Sequence, residues 1–289
     1  MTSTLRYAAH LGFRSPDQPL FPESAGSSDP IAQIEFAASI GFAGVQDPWF
    51  GTRPKATQAA IAERLRELDL SAGCVVCGSP SDIRTPLWTR SGAPAEAALE
   101  KALTDAFEAA HRLRAREVAV VTGADPEAPR NAQLDRFAAN LARASKRAEA
   151  EGLLLCLETM NARTLPGMFL NRFDEACAVV RAVGSRMTRM IFDTAHIQSM
   201  DGDLIGRLER NFDLIAIVQI ANHPGRTEPE TGEINMAAVL KRVHALGYRG
   251  LIELEHVWSR PGLDAERRGL AWLKRTDASL APTKGEAGA

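Results

Sequence analysis

Apolar and polar positions along the chain follow two alternating periods. Short apolar or β-branched runs recur, and each leads into a longer segment with helical spacing. The runs are "LRYAAHLGF" (5–13), "FAGVQD" (42–47), "LSAGCVVCG" (70–78), "EVAVVTG" (117–123), "LLLCLE" (153–158), "TRMIFD" (188–193), "LIAIVQI" (214–220) and "GLIELEH" (250–256). Between them lie segments such as "TQAAIAERLREL", "AALEKALTDAFEAAHRL", "LDRFAANLARASKRAEA" and "FDEACAVVRAV". Several of these end on a Gly before the next strand, the usual helix stop.

Eight strands with helices between them predict a single α/β domain, a (β/α)₈ TIM barrel, over residues 1–277. An open doubly wound sheet alternates in the same way but carries a Gly-rich phosphate turn after its first strand. Here that turn reads "HLGFRSPDQ", so the barrel is favoured. The last residues, 278–289, read as a disordered tail. Two long polar loops, "SPDQPLFPESAGSSDP" and "GSPSDIRTPLWTRSGAPAE", follow strands and so border the active-site face, where loops commonly serve as lids.

Composition narrows the partners. The chain has 289 residues, 45% of them hydrophobic, and a formal charge of -2, with no basic excess to recruit nucleic acid. No apolar run reaches the roughly 20 residues of a membrane span. The N-terminus lacks a signal-peptide pattern. A cytoplasmic protein without membrane or nucleic-acid partners is expected. Cys74 and Cys77 form a C-x-x-C within a strand pattern. Residues i and i+3 of a strand face opposite ways, so they are expected to be buried packing residues, like Cys156 and Cys177, rather than a metal site.

Candidate chemistry sits at the ends of the last four strands. In a barrel these ends converge on one cup. Glu158, Asp193, Gln219 and Glu255 occupy them, and pointing outward would bury them unpaired beneath the helices. Along the strands, Leu154, Cys156 and Glu158 share one face, as do Ile215, Ile217 and Gln219, and Leu251, Glu253 and Glu255. Three carboxylates in one small volume repel each other and would partly protonate. A divalent cation resolves the conflict. Three carboxylates and an amide oxygen form a hard, all-oxygen set that suits Mg²⁺ or Mn²⁺. Glu253 should lie deeper in the barrel, where it either backs a site residue or pairs with an arginine.

The stretches "LETMNARTLPGMFLN", "FDTAHIQSMDGDL", "VQIANHPGRTEPETGEIN" and "GYRGLIELEH" resemble successive motifs of the hydroxypyruvate isomerase family, among the xylose-isomerase-like TIM barrels. The resemblance covers roughly the C-terminal half, and Pro224 to Asn235 is its most specific part. It implies one divalent metal held by Glu158, Asp193, Gln219 and Glu255, with Glu158 and Glu255 as the acid–base pair. It also implies substrate contacts from His196 and Arg226. Two positions depart from the family. Gln46 stands where a glutamate is common, and His10 where an asparagine is common; both are expected to line the cup, His10 against substrate.

Isomerising a 2-hydroxy aldehyde to a ketone passes through an enediolate. A metal on its two oxygens and carboxylates on opposite walls suit that chemistry. The Arg226 fork suits the carboxylate of a small acid. Asn161 either anchors a substrate hydroxyl or caps a turn. His111 and His244 fall on helices and should be exposed, whereas Trp49, Phe50 and Trp88 either wall the pocket or pack.

The expected activity is interconversion of hydroxypyruvate and tartronate semialdehyde, or of a similar hydroxy-oxo acid. A ketose 3-epimerase, an isomerase or decarboxylase of a longer oxo-sugar acid, and a non-catalytic sugar-acid-binding barrel are the alternatives. A DNA repair endonuclease would need many histidine ligands and a basic groove. Six histidines and a negative net charge argue against it. Barrels of this kind often assemble as homodimers or homotetramers, though no interface is legible.

Overall fold

The structure, a computed structural model, describes residues 3–280. Among these, the parallel strands are β1 (Arg6–His10), β2 (Gly44–Gln46), β3 (Ser71–Ala72), β4 (Val75–Val76), β5 (Glu117–Val120), β6 (Leu154–Leu157), β7 (Thr188–Asp193), β8 (Ile215–Ile220) and β9 (Leu251–Leu254). They form one sheet in the order β3-β2-β1-β9-β8-β7-β6-β5-β4. Its two outer strands, β3 and β4, are consecutive in the chain and separated only by Gly73 and Cys74. The third apolar run therefore supplies both edges, and its backbone joins them into a ring. This is the expected eight-stranded (β/α)₈ barrel with one strand broken in the middle.

The helices are α1 (Pro22–Ala25), α2 (Pro30–Ser39), α3 (Lys55–Glu67), α4 (Ala93–Leu113), α5 (Arg130–Glu151), α6 (Phe173–Val183), α7 (Thr194–Met200), α8 (Leu204–Asn211), α9 (Met236–Ala245) and α10 (Leu263–Ala278). The four helical patterns quoted from the sequence match α3 to α6. The helix α10 closes the barrel at the chain's end, which moves the expected boundary of the tail. The Asp277 carboxylate accepts from the backbone amides of Thr4 and Leu5 at 2.7 and 2.9 Å, and Leu280 is buried. Residues 278–280 are thus part of the fold; the rest of the expected tail, 281–289, lies outside the described residues.

Packing separates into two layers. An outer core lies between strands and helices, and a small inner cluster of Cys74, Ala119, Leu154, Cys156, Ile191 and Ile217 fills the barrel axis. The inner set confirms the inward phase expected for Leu154, Cys156 and Ile217. Ile215 instead joins the outer layer, because the β7–β8 register shifts between Met190 and Ile191. Cys74 faces the axis and Cys77 the outer layer, so the C-x-x-C pair does point opposite ways, and all four cysteines are free and buried. No helix among the described residues is long and apolar enough to cross a membrane.

Candidate active site

The last four strand ends meet at one mouth of the barrel. Asp193 closes β7 and pairs in register with Gln219 of β8, which pairs in turn with Glu253 of β9. Glu158 and Glu255 each stand one residue past a strand, and their amides donate to the carbonyls of Val120 and Ile220. All four of the expected ligands, Glu158, Asp193, Gln219 and Glu255, are buried. Burial, with Glu255 and Asp193 nearby, pushes the Glu158 carboxyl well above its usual range. Burial likewise raises Glu255 to about 7. Two acceptor oxygens, Oε1 of Glu158 and Oε1 of Gln219, are buried without a hydrogen-bond partner.

Arg226 reaches into this acidic cup from the loop after β8. Its Nη2 donates to Asp193 Oδ2 and to Glu255 Oε2, both at 2.6 Å. The guanidinium also lies 4.9 Å from the Phe13 ring centroid, a cation–π distance. Its Nε and Nη1 are buried and unused. Burial opposes the charge on Arg226, but the carboxylates of Asp193, Glu255 and Glu158 outweigh it and hold the guanidinium charged. Burial would raise Asp193 too, yet Arg226 and His196 hold its carboxyl below the ordinary range.

The residue takes a left-handed φ of 56°, a conformation costing a non-glycine residue about 1–2 kcal/mol. The surrounding loop fixes it there. Asn222 accepts through Oδ1 from the amides of His223 and Ile234 and donates through Nδ2 to the carbonyls of Pro229 and Ile234. Glu228 accepts from the amide and hydroxyl of Ser259. Neither Asn222 nor Glu228 stood out in the sequence as a site residue; both lie inside the specific "PGRTEPETGEIN" stretch or beside it.

His196 enters the cup through helix capping. The Asp193 carboxylate accepts from the His196 backbone amide at 2.7 Å, so the last residue of β7 is also the N-cap of α7. That cap explains the Asp193-x-x-His196 spacing. Asn161 donates to His196 Nδ1 from its backbone amide at 3.2 Å and from Nδ2 at 2.8 Å. Nδ1 is thus the acceptor nitrogen, and the ring proton sits on Nε2, 3.9 Å from Glu158 Oε1. Burial lowers the His196 pKa to about 4, so the ring is neutral near pH 7. Glu158, Asp193 and His196 each offer a ligand atom within 4.8 Å of the others.

Other expected residues find different places. Asn161 is committed to His196 and, through Oδ1, to Thr164, so it positions a ring rather than waiting for a hydroxyl. His10 is buried at the end of β1 with Nε2 2.9 Å from the His256 carbonyl, and burial lowers it to about 3. Gln46 lies beside it in register, with Nε2 3.8 Å from Cys74 Sγ. Glu253 meets no arginine; it accepts from Gln219 Nε2 at 2.9 Å. Trp88 and Phe50 are fully buried packing residues, Trp88 against Phe137. His111 is exposed as expected, whereas His244 is half-buried on α9. A cavity of about 370 Å³ opens at the opposite mouth of the barrel, lined by Arg6, Ser71, Glu117 and Glu253. It holds none of the strand-end residues of the cup, so its size does not mark the chemistry.

Comparison with known proteins places this geometry. The family model for the xylose isomerase-like TIM barrel matches residues 34–276. The chain belongs to this family. It is 30% identical over 279 residues to a putative hydroxypyruvate isomerase of Homo sapiens, covering 93% of this chain and 94% of that protein. It is 27% identical over 274 residues to the hydroxypyruvate isomerase of Escherichia coli, covering 93% and 98%. A 2-oxo-tetronate isomerase of Cupriavidus necator is 39% identical over 135 residues, 47% of this chain and half the length of that relative. With such relatives along nearly its whole length, the chain is an isomerase. Among solved structures, an AP endonuclease, family 2, from Brucella melitensis has a TM-score of 0.80 at 26% identity, covering 94% of the isomerase and 98% of that chain. A D-psicose 3-epimerase from Clostridium cellulolyticum H10 shares the fold, with a TM-score of 0.73 at 16% identity over 88% and 94% of the two chains.

Proposed function

We propose that the isomerase interconverts hydroxypyruvate and tartronate semialdehyde, or a close three- or four-carbon hydroxy-oxo acid, with one Mg²⁺ or Mn²⁺ in the cup. The observation that carries the acid preference is Arg226. Its guanidinium stands at the carboxylates Asp193 and Glu255 with Nε and Nη1 buried and unused. The free N–H groups on this charged guanidinium suit the oxygens of a substrate carboxylate. The curated relatives point the same way, because each is named for a 2-oxo acid.

The donor set fits a hard divalent cation. Glu158 Oε1 and Gln219 Oε1 are buried acceptors without donors, and Asp193 and Glu255 share a single guanidinium nitrogen. Glu158, Asp193, Gln219 and Glu255 would hold the ion. His196 would not, because Asn161 keeps its proton on Nε2 and leaves no lone pair there to ligate. A cation in this place would supply Lewis-acid stabilisation to the two oxygens of an enediolate.

The chain's own groups then divide the work. One of Glu158 and Glu255 removes the proton from the hydroxymethyl carbon of hydroxypyruvate, leaving an enediolate. A carboxylic acid of the same pair returns a proton to the neighbouring carbon while the hydroxyl proton passes from the C3 oxygen to the C2 oxygen, giving the aldehyde. Carboxyls raised by burial toward neutrality suit both roles. The neutral His196 donates its Nε2–H to a substrate oxygen, and Arg226 binds the carboxylate.

Proton NMR in D₂O tests the reading. Hydroxypyruvate should exchange a carbon-bound proton with Mg²⁺ or Mn²⁺ present and stop with a chelator, while a neutral ketose exchanges far more slowly. Exchange confined to the ketose, or indifferent to the chelator, would overturn it.

A further inference from the structure

Glu253 is a buried acid that the proton transfers do not use. It is 1% exposed and stands beside Gln219 in the β8–β9 register. Its two oxygens serve two different donors. Oε2 accepts from Gln219 Nε2 at 2.9 Å, and Oε1 accepts from the Cys74 backbone amide at 2.9 Å, with Cys74 Sγ 3.6 Å from Oε2.

The second bond accounts for the broken third strand. Cys74 lies in the gap between β3 and β4, and its amide turns to the axis instead of joining a ladder. A Cβ on the preceding residue, Gly73, would lie 2.4 Å from Glu253 Oε1, so only glycine lets the carboxylate come this close. Strand pairing has been given up to hold this one side chain.

What the arrangement fixes is the direction of an amide. A glutamine side chain ends in one acceptor and one donor group. With Nε2 committed to Glu253, Oε1 is left on the other side, and that oxygen is buried without a partner. We propose that Glu253 is a positioning residue that orients the Gln219 amide, so that the cup presents an oxygen rather than N–H groups to a cation. The proposal rests on the cation reading above. It also explains why an acid occupies the place: both neighbours donate, and only an ionised acid, a state that burial delays to about pH 8, accepts from both. A glutamine there would oppose its NH₂ either to the Cys74 amide or to Gln219, and the second conflict is relieved by turning the Gln219 amide around.

The test is a charge-swapped pair. In Glu253→Gln, Mn²⁺ affinity measured by calorimetry should fall by about 10–100-fold, the usual effect of losing a partner behind a ligand. In the double variant Glu253→Gln/Gln219→Glu, the new carboxylate accepts from the new amide and still offers an oxygen to the cup, so affinity should recover most of that loss. A carboxylate at 219 also attracts the cation in its own right, so the rescue counts only as the excess over Gln219→Glu alone in a double-mutant cycle, and a merely structural Glu253 predicts no excess. A second readout needs no metal. The Gln219 side-chain NH₂ resonance, followed in ¹⁵N-labelled chelated protein, should move and lose its protection from solvent exchange in Glu253→Gln. An unmoved resonance, or a cycle in which the folded double variant shows no such excess, would overturn the proposal. If the unsubstituted protein takes up no Mn²⁺, the cation reading fails, and the resonance alone decides whether Glu253 orients the amide.

Discussion

Asn161 donates twice to one nitrogen of His196, from its backbone amide at 3.2 Å and its side chain at 2.8 Å, and so sets which ring nitrogen carries the proton. Asn161→Ala removes one donor and should lower kcat about 10-fold. Asn161→Asp offers an acceptor in its place, favours a proton on Nδ1, and should cost about 100-fold, the scale for losing one oriented donor. Steady-state kinetics on the two variants decides the matter. Equal losses would mean that the tautomer is not what Asn161 controls.

Glu158→Gln and Glu255→Gln should each lower turnover by at least about 1,000-fold, within the range for a positioned acid or base, while the proton-exchange signal in D₂O disappears. Glu158→Gln should also raise the melting temperature in chelator, since it replaces a buried acid that burial and its neighbours already disfavour as an anion. A folded variant that keeps near-normal turnover would remove that residue from the acid–base pair.

Arg226→Ala should raise KM for acidic substrates by about 100-fold and for neutral sugars far less, because a charge-assisted contact is lost. It also leaves Asp193 and Glu255 without their shared donor. Breaking a buried pair in this way costs about 3–5 kcal/mol, so the variant should melt earlier in chelator, and Mn²⁺ should restore much of the difference. Parallel increases in KM for acids and sugars would remove the carboxylate-binding role.

The strand-end residues were legible because each apolar run delivers its polar residue at the same place, and barrel geometry turns four such places into one cup. What the sequence hid depends on distant partners. The run "LSAGCVVCG" reads as one strand, yet it breaks at Gly73 and Cys74 to reach Glu253, 179 residues away along the chain. The sequence reads Asn161 as a substrate anchor or a turn cap; its Oδ1 does cap the turn at Thr164, while its amide N–H and Nδ2 go to His196, 35 residues on. The tail is expected from residue 278, next to Asp277, but the Asp277 carboxylate ties this end of α10 to the amides before β1. In each case the local pattern was read correctly as polar or strand-like. The contact that assigns its role exists only once the ring has closed.

His10 gives a pH test. Burial lowers it to about 3, well below the usual 6.5, and its Nδ1 has no partner while Nε2 faces the His256 carbonyl. Between pH 6.5 and about 3 the unfolded chain therefore binds a proton at this position that the native chain refuses, and stability is lost as pH falls through that window. His196 and His256, both lowered to about 4, act in the same direction. Glu158, Glu253 and Glu255 are raised by burial and act oppositely, holding protons in the native state that the unfolded chain releases. The two sets offset each other, so the absolute profile is a poor probe and the difference between variants is a good one. Comparing His10→Asn with the unsubstituted protein in chelator, by urea unfolding from pH 8 to 4.5, the difference should stay constant above about pH 7. Below pH 6.5 the variant should gain on the parent by about 1.4 kcal/mol per pH unit, the value of one proton. A difference that stays flat below pH 6.5 would mean that His10 takes up its proton in the folded barrel as readily as in the open chain.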